Sequence, residues 1–78
     1  MSISKEDAWE LAVRYEAWCA AMRAPDCESR DHSILTWGIL LSQIMDRTGV
    51  KLRPPGHIAS EMTFAKNRIQ ARKAEEAQ

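Results

Sequence analysis

Two breaks in the hydrophobic pattern divide this chain into three segments, each long enough for one helix. The first break lies at Pro25, because the residue before a proline is held out of the α region. The second is the stretch 49–56, where Gly49 and the pair Pro54-Pro55 interrupt any regular element. Between the breaks, apolar residues recur at helical spacing. The sequence therefore predicts an all-α fold, a compact three-helix bundle, with helices at about 4–23, 31–47 and 55–73 and an extended connector at 49–56.

The length of 78 residues allows one small domain, which buries only about 60–65% of its unfolded surface. We expect this domain to cover residues 1–73. A frayed tail should follow at 74–78, because the residues after Ile69 offer no large apolar side chain to bury. No apolar run approaches the ~18 residues of a membrane span, and residues 1–4 lack the features of a signal peptide. We therefore expect a cytoplasmic protein with no membrane partner.

The first segment predicts an amphipathic helix that begins at Ser4. Ser4 and Asp7 have the spacing of a capping box, with Asp in the place of Glu. Wound as a helix, the apolar residues of one arc of about 120° form a single core stripe. They are Ala8, Leu11, Ala12, Tyr15, Trp18, Cys19 and Met22. Trp9 and Val13 miss that arc and lie one turn apart.

The second segment is apolar on two sides. Its main face holds Ile34, Trp37, Leu40, Leu41, Ile44 and Met45. Leu35 and Ile39 lie on nearly the opposite face. A helix that is apolar on two sides is usually buried on two sides, so we expect this one to lie centrally, packed by both neighbours.

The helix ends and the third segment complete the prediction. The polar connector 24–31 offers three candidate N-caps, which are Asp26, Ser29 and Asp31. Gly49 fits the left-handed position that follows a helix. The third segment carries Ile58, Met62, Ala65 and Ile69 at helical spacing. Phe64 points away from that stripe.

Charge is balanced in total but not along the chain. Eleven basic and eleven acidic residues give a net charge of zero, which excludes a general polyanion binder. Residues 1–31, however, hold seven acids against four bases. Either oppositely charged segments neighbour one another in the fold, or the basic segment forms a face for a phosphate backbone or an acidic protein. The candidate basic face consists of Arg47, Lys51, Arg53, Lys66, Arg68, Arg72 and Lys73.

Soft metal ligands are few and their spacing is unusual. The chain has Cys19, Cys27, His32 and His57 in the pattern C-x7-C-x4-H-x24-H. Zinc templates normally open with two ligands two to four residues apart. Two cysteines without a secretory signal are expected to stay reduced. We therefore predict no metal site, no cofactor and no disulfide.

One acidic spacing resembles that of a known enzyme class. Glu28 and Asp31 have the E-x-x-D spacing with which all-α nucleotide pyrophosphohydrolases bind magnesium. Asp7 and Glu10 resemble the second acidic pair, with Asp in the first place. Capping and helix-dipole charges explain both pairs better, because Glu28 falls in a connector that we read as non-helical. We therefore predict no catalytic residues and a protein that is not an enzyme.

The remaining features favour binding. Trp9, Val13 and Phe64 miss the core stripes, and aromatic residues dominate binding hot spots. We therefore expect a non-enzymatic protein-interaction module that binds a larger protein or forms a homodimer. Small helical proteins with balanced charge are frequent among phage and mobile-element products, including inhibitors of host complexes such as anti-CRISPR proteins. The alternative hypothesis is a small nucleic-acid-associated or regulatory protein that uses the basic face.

Overall fold

The computed structural model describes residues 3–52 and 56–77, which form three α-helices. Helix α1 spans Lys5–Arg23, α2 spans Glu28–Thr48 and α3 spans His57–Glu76. The part of the chain that the structure describes contains no strand. The predicted all-α three-helix bundle is confirmed.

Helix α1 begins as its capping pattern predicts. The Oγ of Ser4 accepts a hydrogen bond from the backbone N–H of Asp7 at 3.0 Å, which satisfies one of the free amides of the first turn. The helix ends at Arg23, and Ala24 takes the extended conformation that a following proline imposes. Both ends of α1 are therefore determined by local sequence.

Helix α2 begins three residues earlier than predicted. Cys27 is the N-cap, and its Sγ accepts a hydrogen bond from the backbone N–H of Arg30 at 3.4 Å. The candidate caps Asp26, Ser29 and Asp31 were wrong, as was the non-helical reading of Glu28. Glu28 and Asp31 therefore lie in the first turn of α2 and not in a connector. Acidic residues are favoured in this turn by the helix dipole.

The C-terminal end of α2 and the N-terminal end of α3 each lie at a glycine. Gly49 has a φ of 77° and donates its N–H to the carbonyl oxygen of Met45 at 2.8 Å, which confirms the predicted left-handed position after α2. Gly56 has a φ of 86° and precedes α3. Helix α3 continues three residues beyond the predicted end at 73, because Ala and Glu are good helix formers. The fraying of residues 74–78 stays a prediction.

Helix α2 is central, as the two-sided apolar pattern predicts. Helices α1 and α3 both pack against it. Its neighbours run antiparallel to it, since Arg47 near its end bonds Asp7 near the start of α1, and Asp31 near its start bonds Arg72 near the end of α3. The buried apolar core consists of Leu11, Trp18, Ala21, Ile34, Leu41, Ile44, Ile58, Ala65 and Ile69.

The core face of α1 is rotated from the predicted stripe. Leu11 and Trp18 are buried as predicted, and Trp18 is only 1% exposed. Ala8 and Ala12 were assigned to the core but are exposed, whereas Ala21 is buried. The buried face of α1 therefore stops short of the predicted stripe on the side of Ala8 and Ala12 and extends to Ala21 on the other side.

Helix α3 is offset along the bundle axis. Its first residue, His57, lies beside Trp18 of α1, with 5.6 Å between the ring centroids. From there α3 runs towards the start of α2, where it reaches Asp31. The longest dimension of the molecule is 52 Å, although each helix is only about 30 Å long. Helix α3 therefore packs mainly against α2.

Candidate functional site

Two arginines of the candidate basic face bind one carboxylate inside the fold. The Nε of Arg68 donates to Oδ1 of Asp31 at 2.9 Å, and Arg72 donates to the other oxygen of the same carboxylate. Arg72 also donates to Oδ1 of Asp26 at 3.2 Å. Asp31 is 0% exposed, whereas the two arginine side chains keep part of their surface in solvent. Arg68 and Arg72 therefore join α3 to α2.

The environment of Asp31 favours its charged form. Burial alone raises the pKa of this carboxyl, because a charged group is costly to remove from water. The hydrogen bonds from Arg72 and Arg68, together with their positive charges, outweigh burial and hold the pKa of Asp31 below its usual value. The hydrogen bond to Asp31 correspondingly raises the pKa of Arg72.

A third arginine of the candidate face joins α1 to α2 at the other end of the bundle. Arg47 donates from Nη1 to Asp7 at 2.9 Å and from Nη2 to Glu10 at 3.4 Å. Glu10 also pairs with Arg14, and Arg14 donates to the carbonyl oxygen of Leu40 at 2.6 Å. Asp7 and Glu10 of α1 therefore supply the counter-charges for Arg47 of α2.

Among the described residues, the predicted basic residues are not gathered in one place. Arg47 and the Asp31 site lie 16 residues apart on α2, which corresponds to about 24 Å. Lys51, Lys66 and Lys73 are exposed. Arg53 lies outside the described residues. Among the described residues of this set, the three arginines therefore pair with acidic side chains, whereas the three lysines are exposed.

The acidic and soft-ligand candidates are also separated. Asp7 and Glu10 bind Arg47, and Asp31 binds two arginines, so both acidic pairs contact arginine. Cys27 caps α2, and both cysteines are free thiols. His32 Nε2 lies 3.6 Å from Glu28. Across residues 3–52 and 56–77, no three His, Cys, Asp or Glu side chains are arranged to hold a metal ion.

The off-stripe apolar residues of α1 face solvent. Trp9 is 73% exposed and Val13 is 43% exposed, and the two lie one helical turn apart. They lie on the side of α1 away from the face that Leu11 and Trp18 bury against α2. Trp9 and Val13 are the outer apolar pair of α1.

The other off-stripe residues lie elsewhere. Phe64 is 52% exposed and lies on α3, whereas the outer apolar pair lies on α1. Ile39 of α2 is exposed, and Leu35 packs partly buried against the core. Phe64 is therefore not a member of the outer apolar pair.

A groove of about 500 Å³ runs along α1 next to the outer apolar pair. Its lining on α1 runs from Ala8 to Arg23, and none of the described residues of α2 or α3 lines it. Its lining residues are Ile3, Ala8, Leu11, Ala12, Tyr15, Glu16, Cys19, Arg23 and Leu52. We call this the α1 groove. The groove was not predicted from the sequence, because Ala8 and Ala12 were assigned to the core. The apolar stripe of α1 is wider than the face that α2 buries, and this width was the available sign of a second apolar surface.

Two further observations are relevant to function. Among the described residues, no helix has the length and apolar character needed to cross a membrane. Comparison of the chain with protein-family models, curated proteins and solved structures finds no match.

Proposed function

We propose that this chain is a non-enzymatic protein-interaction module that binds a larger partner protein stoichiometrically through the solvent-facing side of α1. The observation that carries the proposal is the exposure of Trp9, 73% of whose surface is in solvent, one turn from exposed Val13. Tryptophan is among the residues most enriched at binding hot spots, since it buries a large area at low entropic cost. The α1 groove beside this pair adds concave apolar surface.

The residues of α1 that hold the fold together are different from those proposed to bind the partner. Leu11 and Trp18 bury the opposite side of α1 against α2, and Arg47 fixes its N-terminal end through Asp7 and Glu10. The side chain of Trp9 is therefore not needed to hold the fold. A rigid helix that presents an exposed aromatic residue loses little conformational freedom on binding.

Charge placement favours a protein partner over nucleic acid. Arg47, Arg68 and Arg72 are engaged with acidic side chains inside the fold, so they would have to exchange these partners for phosphates. A single small domain that acts by covering a surface also fits a stoichiometric inhibitor of a larger complex, of the kind that phages and mobile elements produce. We therefore propose inhibition of a larger complex as one role of this chain.

The test is affinity capture from the native organism, quantified by mass spectrometry, with matched variants. Trp9→Ser with Val13→Ser alters the outer apolar pair, and Lys66→Glu with Lys73→Glu alters two exposed lysines of α3. We expect the α1 variant to lose the partner at least tenfold and the lysine variant to retain it. Circular dichroism checks that both variants stay helical.

Three outcomes would overturn the proposal. Retention of the same partner by the α1 variant would show that the partner binds another surface. Loss by the lysine variant alone, with salt-sensitive recovery of nucleic acid, would favour the alternative hypothesis. If sedimentation equilibrium shows a homodimer that the α1 variant dissociates, the surface binds a second copy of the chain.

A further inference from the structure

We infer that the α1 groove binds one amphipathic α-helix of the partner protein, with a basic residue placed against Glu16 and an acidic residue against Arg23. This inference rests on the proposed function, because it specifies the partner chemistry for a surface of α1 that adjoins the outer apolar pair. It follows from three features of the groove: its position in the bundle, the spacing of its lining residues and its unpaired charges.

The groove lies on a face of α1 that neither of the other helices covers. Its lining residues on α1 run from Ala8 to Arg23, nearly the full length of the helix. The described residues of α2 and α3 contribute none of its lining. Ile3, before α1, and Leu52, after α2, line it as well. This face of α1 is therefore open to a helix from another protein.

The lining of the groove has the spacing of a helix-packing seam. Ala8, Ala12, Tyr15 and Cys19 follow one another at intervals of four, three and four residues. That alternation places side chains in a single row that interdigitates with the apolar row of another helix. The row spans about 16 Å, or three helical turns. Because Ala8 and Ala12 are small, a second helix axis can approach α1 closely there.

Two charges in the groove lack partners. Glu16 and Arg23 line it seven residues apart, a rise of about 10.5 Å. Within the chain as described, neither forms an ion pair, although Glu10 and Arg14 on the same helix do. A bound helix with one base and one acid two turns apart would pair with both. Charge complementarity of this kind selects a partner and its direction more than it adds affinity.

A second copy of α1 fits this groove poorly. Pairing Glu16 with Arg23 of the second copy, and the reverse, centres an antiparallel pair between Cys19 and Ala20. Ala8 and Ala12 would then face positions beyond Arg23, where the second α1 has already ended. Half of the groove would stay uncovered, so the occupant we infer is a helix of a different protein.

The experiment uses the full chain and three synthetic helical peptides with one shared leucine stripe. The peptides differ only at two positions seven residues apart, which carry Lys and Glu, two Lys, or two Glu. Fluorescence anisotropy at low salt measures binding to the wild-type chain and to Arg23→Glu. We expect the mixed peptide to bind the wild type about threefold to fivefold more tightly than the others, as for an exposed ion pair. With Arg23→Glu, the two-lysine peptide should become the tightest.

Matched variants test the position of the peptide. Ala12→Arg fills the middle of the groove, whereas Ala20→Arg adds the same charge at an exposed position of α1 outside it. We expect at least a tenfold loss of binding for Ala12→Arg and no change for Ala20→Arg.

The inference is overturned if no peptide binds at millimolar concentration, if the peptide order is the same for both chains, or if Ala20→Arg weakens binding as much as Ala12→Arg. Such a result, with partner capture still dependent on Trp9 and Val13, would leave the proposed function standing. Loss of that dependence would remove the proposed function instead.

Discussion

The Nε of Arg68 donates a hydrogen bond to Oδ1 of Asp31 across 2.9 Å and so joins the third helix to the first turn of the second. The two residues lie 37 positions apart in the chain. Arg72, one turn further along α3, binds the other oxygen of the same carboxylate. A fully buried acid is thereby held between two partly exposed bases, and the site fixes both the register and the direction of α3.

Substitution of Asp31 should destabilise the fold strongly. Asp31→Asn removes the counter-charge of two arginines, and we expect a loss of about 3 kcal/mol in the free energy of unfolding, at the lower end for a broken buried pair. Asp26→Asn is the matched control, since Asp26 contacts the same arginines from an exposed position and should cost less than about 1 kcal/mol. Urea unfolding at neutral pH measures both, and equal losses would contradict the account.

Stability should fall in acid in a way that depends on Asp31. Its folded pKa is below the usual value, so the unfolded chain binds the proton more readily. The stabilisation is therefore complete above the unfolded pKa of about 3.9 and is lost as the pH falls further, towards the folded pKa. Between about pH 5 and pH 3, the unfolding free energy of Asp31→Asn should change less than that of the wild type. Parallel profiles would argue against the assigned pKa direction.

The effect of Gly38→Ala on the free energy of unfolding should change sign when Met62 is also replaced. A Cβ at Gly38 would lie 2.6 Å from Met62 Sδ and 2.7 Å from its Cγ, so Gly38→Ala forces Met62 to move. We expect a net loss of about 1 kcal/mol, because overpacking outweighs the gain in helix propensity. In a Met62→Ala background the clash is absent, and the same change should stabilise. A double-mutant cycle by thermal unfolding measures the coupling, and additive effects would contradict close α2–α3 packing at this point.

The two tryptophans of α1 should differ in their contribution to stability. Trp18→Ala removes a side chain that is 1% exposed and should cost about 3–5 kcal/mol. Trp9→Ala removes one that is 73% exposed and should change the unfolding free energy by less than about 0.5 kcal/mol. Denaturant unfolding monitored by circular dichroism distinguishes them. A large loss for Trp9→Ala would mean that this side chain supports the fold and is not free to bind.

Local chemistry made much of the fold predictable. The bond from Asp7 to Ser4, the left-handed Gly49 and the central position of α2 each follow from spacing within one segment. The start of α2 did not follow, because cysteine is not among the favoured N-cap residues and Cys27 takes that role. Because only the usual N-cap residues were considered, α2 was predicted to start three residues too late.

The candidate site was harder to predict, because it depends on how helices are placed relative to one another. Asp31 reads locally as a capping acid, yet it precedes Ile34 and Gly38 by three and seven residues and thus lies on the buried face of α2. That spacing was the available signal for its pairing with α3. The α1 groove lies on a face of α1 that the described residues of α2 and α3 leave uncovered, and no pattern within a single segment encodes how the helices pack.

The most direct test of the proposed role is site-specific photocrosslinking in cells of the native organism. A photoreactive phenylalanine analogue would replace Trp9 or Val13 on α1 and, as controls, Lys66 or Lys73 on α3. All four positions are exposed, so each variant should fold. The account predicts one shared protein adduct from positions 9 and 13 and none from positions 66 and 73. Adducts from 66 and 73 without any from 9 and 13 would contradict it.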